Sequence, residues 1–516
     1  MIVGLTGATG NMGKCLMQEL VNIPDVDKIK ILGNRKKTTE KLLKKFHKYR
    51  SKIEVIYGGI NNKTCLSSFL NELDYVINMA GVIPPASDQN PKAAISVNQE
   101  GPKSLVEMIE KMDKQPKLIH ISTVAVYGDR NYHNIFGEVG DPLLPSPFDI
   151  YSITKVRGEY AVLESAVKKW AILRQTAVLY DELLFKNVSD GLMFHTCFNA
   201  PLEWVSAQDS AVLIRNILLK DQNGELDDDN FWLKCFNIGG GEENRITGFD
   251  TLDIGFRIIG ARCEQFIDTN YNSLRNFHGV WFSDGYKLEE LFHYQKETVV
   301  GFWKKIARKH PYFGCAKILP KKLLKALVIK RLLNDPNSPT CWVNKKDEAR
   351  VMAYFGGLDK YQAIPKDWSM FPLLSKNTHP DVKLSLKDLR SKYTYLDHGF
   401  DIHKDFREID IEDLRNVASL HGGKLLTKDF KKGDIYQKVE WENQDGVVFK
   451  AKPYTILGCG HWYNKSYEEN IWDYDRLAKK DKIYADVWYS SHDKDEDCYY
   501  YYDDDFKAHV EHIKNK

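Results

Sequence analysis

The chain reads as an α/β protein organised around a doubly wound parallel sheet, and three observations predict this. An apolar stretch, Met1-Ile-Val-Gly-Leu-Thr6, runs directly into glycines at Gly7, Gly10 and Gly13 and then into helical periodicity from Lys14 to Val21. A buried-strand pattern, Leu118–Ile121, ends in the hydroxyls of Ser122 and Thr123. Further on, Tyr151-Ser-Ile-Thr-Lys155 opens a helix that continues through Leu163.

The glycine turn comes first. A strand, closely spaced glycines and an amphipathic helix form the βα unit that lays a dinucleotide pyrophosphate on a helix N-terminus, the Rossmann-type arrangement. Gly7 permits the tight turn, Gly10 lets backbone amides approach phosphate, and Gly13 lets the helix pack closely on the strand. Thr9, Asn11 and Met12 complete the contact surface. The spacing is TGxxGxxG. It resembles that of the extended short-chain dehydrogenase/reductases, the NAD-dependent epimerase/dehydratase family.

At 516 residues the chain exceeds one compact core, and about two to four domains are expected. The boundaries read as residues 1–305 for the dinucleotide-binding unit, with its smaller substrate lobe over about 180–305. A helical connecting region, 306–405, and a small α+β C-terminal module, 406–516, follow. With 43% hydrophobic and 28% charged residues and a net charge of +2, the composition gives no global case for a nucleic-acid or acidic-membrane partner. The nine cysteines are scattered, without a CxxC pair, as in a reducing compartment. The first strand begins at Met1 and no apolar run reaches membrane length, so a cytoplasmic protein is expected.

Taken in order, Lys28–Gly33 is the second strand, ending in Asn34 and Arg35. A carboxylate there would bond a ribose hydroxyl and repel a 2′-phosphate, whereas Arg35 offers a planar fork of donors to that phosphate, so NADP is the expected cofactor and NAD the alternative. Residues 53–60 form the third strand, and Ile60 is expected to wall the adenine where related proteins often carry an aspartate at the position of Gly59. Asn78-Met79-Ala80-Gly81 resembles the NxAG turn of the same superfamily, placing Met79, Ala80 and Gly81 close to the cofactor. Val97-Asn98-Gln-Glu-Gly101 resembles its VNxxG, with Asn98 expected to bond backbone.

The chemistry is expected at Ser122-Thr123-Val-Ala-Val-Tyr-Gly128 and Tyr151-Ser-Ile-Thr-Lys155, which resemble the superfamily's S(S/T)xxVYG and YxxxK. Four-residue spacing puts Tyr151 and Lys155 on one helix face, so that the ammonium could lower the phenol's pKa and reach the nicotinamide ribose. The resemblance implies hydride transfer, with Tyr151 exchanging a proton with the substrate oxygen, Thr123 bonding that oxygen and Ser122 beside it. Related 4,6-dehydratases carry Asp-Glu straight after the threonine. Val124 and Ala125 stand there instead, which disfavours that reaction. The first reading is an NADP-dependent oxidoreductase acting on a carbonyl or secondary alcohol. The alternatives are a nucleotide-sugar epimerase that retains its cofactor and, from another class, an NADP-sensing scaffold. The partner is a small-molecule substrate, and homodimerisation is left open.

Trp170–Tyr180, Leu202–Ala211 and Cys235–Gly241 resemble the superfamily's LRxxxVYG strand, the segment docking the substrate lobe, and the late strand with its glycine turn. Met193, Phe194, His195 and Trp204 supply apolar surface near the cleft, with core packing the simpler role for each. Residues 317–333 form a basic amphipathic segment with two competing readings, a domain-packing helix, which is favoured, and a helix lying on an anionic membrane surface. Near the end, residues 418–464 resemble a treble-clef zinc module whose ligands are lost. Leu425, Asn443, Val447 and Tyr463 occupy the ligand positions, no other set of four soft ligands is present, and aromatics are expected to hold the module without metal. Lys424, Lys428, Lys431 and Lys432 are locally basic, but the acidic tail from Asp493 to Asp505 argues against nucleic acid.

Overall fold

A computed structural model describes residues 1–183, 190–312, 320 and 325–501. Seven parallel strands form the central sheet: β1 (Ile2–Thr6), β2 (Lys28–Gly33), β3 (Ile53–Tyr57), β4 (Tyr75–Asn78), β5 (Lys117–Thr123), β6 (Trp170–Gln175) and β7 (Lys234–Ile238). Their order across the sheet is β3-β2-β1-β4-β5-β6-β7. The order reverses between β1 and β4, and the crevice at the carboxyl ends of strands at such a switch point is where this fold binds ligands.

Side chains alternate across the sheet and feed two separate cores. Val3, Leu5, Ile31 and Leu173 face α1 (Asn11–Val21), α2 (Lys36–Lys45) and α6 (Ala207–Gln222). Val76, Leu118, Trp170 and Ile172 face α3 (Lys63–Leu70), α4 (Gly101–Ile109) and α5 (Ile150–Leu163). A second, smaller sheet is built on Pro201–Ser206, paired antiparallel to Arg245–Thr247 and parallel to Ala177–Leu179. Helix α6 returns the chain to the sheet and is tied to α1 through Arg215 and Glu19 at 2.6 Å.

The remainder of the chain folds back over the second face. The amide of Cys235 on edge strand β7 donates to the Tyr454 hydroxyl at 2.9 Å, and the Tyr436 hydroxyl donates to the Leu233 carbonyl at 2.8 Å. This covers a sheet edge that would otherwise present unpaired backbone. Lys452 places its ammonium 2.7 Å from the carbonyls of Leu163 and Ser165, a cation where the dipole of α5 is negative. Helix α5 is therefore buried on nearly every side.

Within the C-terminal region, Val439–Glu442 pairs antiparallel with Lys424–Leu425 and Val448–Ala451. Trp462 stacks on His421 at 4.5 Å and meets Phe449 edge-on at 5.3 Å. The Asn443 Oδ1 accepts from the amides of Asp445 and Val447, closing the turn where the resemblance placed metal ligands. Of the basic stretch 317–333, residues 317–319 and 321–324 lie outside the described residues. In the described part Ile329, Leu332 and Leu333 are buried, and Lys325 pairs with Asp268 at 2.7 Å. The tail beyond residue 501 also lies outside them. Among the described residues no helix is long and apolar enough to cross a membrane.

Candidate active site

The glycine turn sits at the switch point, and its geometry explains Gly7 and Gly13. Gly7 has φ +71°, and a Cβ there would lie 2.6 Å from the Met79 carbonyl oxygen. At Gly13 a Cβ would lie 2.4 Å from the Gly7 oxygen, so only glycine lets α1 approach β1 this closely. Thr6 pins the neighbouring loop by donating to Asn78 Oδ1 at 2.6 Å and accepting from the Ala80 amide at 3.0 Å. Gly10 caps α1 without any side-chain cap. The amides of Asn11, Met12 and Gly13 have no acceptor among the described residues, an open anion site of the kind a pyrophosphate fills.

Other sequence-predicted cofactor positions follow the carboxyl ends of β2, β3 and β4. Asn34 and Arg35 are exposed at the end of β2, with Arg35 opening α2. Met79 and Ala80 are half-buried and Gly81 is exposed at the end of β4. Ile60 is buried against Gly101, where a Cβ would come within 2.8 Å of it. Asn98 bonds both backbone groups of Val82, accepting from its amide at 2.8 Å and donating to its carbonyl at 3.0 Å. It also donates to Thr154 at 3.2 Å, and so ties the β4 loop to α5.

Thr123 ends β5, where its hydroxyl accepts from the Ala125 amide at 3.2 Å and lies near enough to the phenol of Tyr151, in the first turn of α5, to act on its ionisation. Burial pushes that phenol up to about 12; the nearby Thr123 hydroxyl pulls the other way and the Asp149 carboxylate adds to the rise. Lys155 is buried one turn on, and its ammonium donates to the Ile121 carbonyl at 2.6 Å. Burial brings Lys155 down to about 8, with Glu159 opposing. The net shift of the phenol is upward, with the Lys155 ammonium bonded to a strand carbonyl.

Behind these groups lies a polar network that motif reading missed. Glu159 accepts from Ser122 at 2.5 Å, from Arg174 through Nε at 3.1 Å and through Nη2, and from His461 Nε2 at 2.9 Å. Burial alone would raise this carboxyl; the Arg174 guanidinium, with His461 adding, holds it well below the usual carboxylate range. Burial keeps His461 below its ordinary value, so it acts as a neutral Nε2–H donor. Arg174 also donates to the Cys459 carbonyl at 2.7 Å and to the Tyr127 hydroxyl at 2.8 Å. The Glu159 and Arg174 side chains are both 0% exposed, a pair that low dielectric makes costly to break. The network thus joins β5, β6, α5 and the C-terminal region directly behind the Thr123–Tyr151 pair.

At the mouth, Asp149 caps α5 by accepting from the Ser152 amide at 3.0 Å, and His278 Nδ1 lies 3.4 Å from its carboxylate. Of the residues singled out from sequence in this part of the chain, Phe194 and Trp204 are buried, and His195 meets Trp342 at a tilt and Tyr354 edge-on, with ring centroids 5.0 and 5.1 Å apart.

The NAD dependent epimerase/dehydratase family matches residues 3–176, a span that contains the glycine turn, Thr123, Tyr151 and Lys155. The chain is similar to UDP-glucuronic acid 4-epimerase from Bacillus cereus in complex with UDP-glucuronic acid and NAD, at 20% identity and a TM-score of 0.47, over 61% of this chain and 99% of that one. It is similar to dTDP-glucose 4,6-dehydratase from Bacillus anthracis in complex with NAD, at 17% identity and 0.47, over 61% and 98%. A third, the Bordetella bronchiseptica enzyme WbmG in complex with NAD, shows 18% identity and 0.43, over 62% and 96%.

Proposed function

We propose that the chain catalyses NAD(P)-dependent hydride transfer at a carbonyl or secondary-alcohol carbon. The observation that carries this is the placing of Thr123 at the carboxyl end of β5 and of Tyr151 and Lys155 in the first turns of the next helix, in a sheet whose first strand runs into a helix N-terminus with no side-chain cap. The residues fit a dinucleotide. The amides of Asn11 to Gly13 would hold its pyrophosphate, and Arg35 offers a fork to a 2′-phosphate, which makes NADP the preferred form and NAD the alternative. When bound, the nicotinamide would supply or accept the hydride.

The chain's own residues then divide the work. With its phenol near 12, Tyr151 is protonated at neutral pH and is set to donate to the oxygen of a carbonyl. Thr123 holds the same oxygen in line. Lys155 keeps its charge below about pH 8 and presents a cation under the site. Asn98 fixes the β4 loop against α5, which keeps the two halves of the site in register.

A second reading is a nucleotide-sugar epimerase that oxidises and then re-reduces one carbon with a retained cofactor. The family match over residues 3–176 favours it. Mass spectrometry of the purified protein for retained cofactor, followed by a carbonyl and nucleotide-sugar panel read at the reduced-nicotinamide band, separates the two. A reductase consumes cofactor stoichiometrically; an epimerase retains it and converts substrate without net absorbance change. Absence of cofactor binding would remove both readings.

A further inference from the structure

We propose that Arg350 is the oxyanion-binding residue of the substrate cleft, supplied by a helix that lies beyond the family-matched segment; the proposal rests on the reading of Tyr151 given above. Arg350 belongs to helix Glu348–Phe355. Its guanidinium lies over the Phe148 ring at 5.2 Å and over the Trp342 ring at 5.7 Å, so two aromatic rings hold the planar fork in place. Phe148 has a left-handed backbone, φ +66°. A bulky residue keeps that conformation only where its surroundings impose it, commonly at functional sites. Here it immediately precedes Asp149, the cap of the helix that carries Tyr151.

The surrounding charges leave one edge of the fork open. Asp347 takes Nη1 at 2.6 Å. Asp149 is already engaged by His278 at 3.4 Å and by the Ser152 amide. Asp88, in the turn Ala86–Gln89 packed against α5, is pushed up to about 7, by burial first and by Asp149 second, and so carries a reduced charge near neutrality. His195 bonds the Asn337 carbonyl at 2.6 Å. Among the described residues Arg350 Nε and Nη2 make no hydrogen bond, and the side chain is 40% exposed. A half-exposed, preoriented guanidinium with a free edge matches a carboxylate or a phosphate, which both accept paired N–H donors. The ligand is therefore an oxyanion of the substrate, either a carboxylate on a sugar ring or a phosphate of a nucleotide.

The test is calorimetric titration of the full chain carrying its cofactor with UDP-glucuronate, UDP-glucose and UDP, for wild type, Arg350→Ala and Arg350→Lys. If the carboxylate is read, Arg350→Ala weakens UDP-glucuronate by about tenfold or more, the loss expected for a charged hydrogen bond, and leaves the other two in place. If the phosphate is read, all three weaken alike. Either result supports the site, and lysine restores only part of the affinity because it cannot bind in paired fashion. Unchanged affinities for all three in Arg350→Ala overturn it. Should none of the three bind wild type while cofactor does, the nucleotide-sugar reading fails and inorganic pyrophosphate decides Arg350 by itself. Binding by wild type that is lost in Arg350→Ala supports the site; equal binding, or none by wild type, overturns it.

Discussion

His461 Nε2 stands 2.9 Å from the carboxylate of Glu159, a contact that spans 302 residues of sequence and fastens the C-terminal region to the helix carrying Tyr151 and Lys155. Both groups respond to acid in the same sense. His461 is held below its ordinary value, so it takes up a proton on unfolding below about pH 6.5, and Glu159 does so below about pH 4.3. The unfolded chain therefore binds more protons as pH falls. The stability these groups contribute is complete above about pH 6.5 and is lost on acidification. Urea midpoints measured from pH 7.5 to 5.5 should fall for wild type and fall less for His461→Gln, which keeps an N–H donor but cannot titrate. His461→Leu should cost about 1–3 kcal/mol at pH 7 by leaving a buried carboxylate oxygen short of a donor. Parallel pH profiles for wild type and His461→Gln would show that the pair does not carry this dependence.

Tyr151→Phe removes the proton donor and leaves the ring. Turnover should fall by about 10²–10⁴-fold, the usual contribution of a positioned acid, while cofactor affinity stays near wild type. Steady-state rates and cofactor titration check this together. A variant with most of its activity intact would transfer the acid role elsewhere.

Gly13→Ala tests the turn. The added Cβ would sit 2.4 Å from the Gly7 oxygen and 2.7 Å from the Ala8 Cα, both backbone atoms that cannot swing aside. Displacing α1 should cost about 1–3 kcal/mol, as overpacking does, and should reduce cofactor affinity as the amides of Asn11 to Gly13 move. Thermal melts with and without cofactor measure both effects, and a variant that still gains stability from cofactor as wild type does would contradict this role.

Arg35→Glu places a carboxylate at the end of β2. The ratio of NADP to NAD affinity should drop by about tenfold or more, from the loss of a charge-assisted contact and the gain of repulsion. An unchanged ratio in competitive titrations would locate 2′-phosphate discrimination at another residue.

Much of the front of this protein was legible in the sequence because its determinants are local. Gly7, Gly10 and Gly13 act within one turn, and Tyr151 and Lys155 are linked by helical spacing alone. The Glu159–Arg174–His461 network was not legible. Glutamate, arginine and histidine are each common, and only the three-dimensional return of residues 459–461 onto α5 brings them together. Lys155 also shows a limit of spacing arguments: its position on the helix face was readable, but its engagement with the Ile121 carbonyl depends on how close α5 lies to β5. The C-terminal resemblance pointed to ligand positions that are empty of ligands, and gave no hint that aromatic packing there serves a surface covering β7.

The most direct measurement of hydride transfer is the reduced-nicotinamide absorbance of the full chain with NADP and NAD, in wild type and Tyr151→Phe, mixed with a panel of carbonyls, secondary alcohols and nucleotide sugars. The account predicts at least one substrate for which wild type changes the band, as a transient if the cofactor is retained and as net turnover if it is released, and for which Tyr151→Phe does not. A band change of equal rate in both proteins, or a cofactor-loaded wild type that converts a substrate with no redox change in the cofactor even on the millisecond scale, would contradict it.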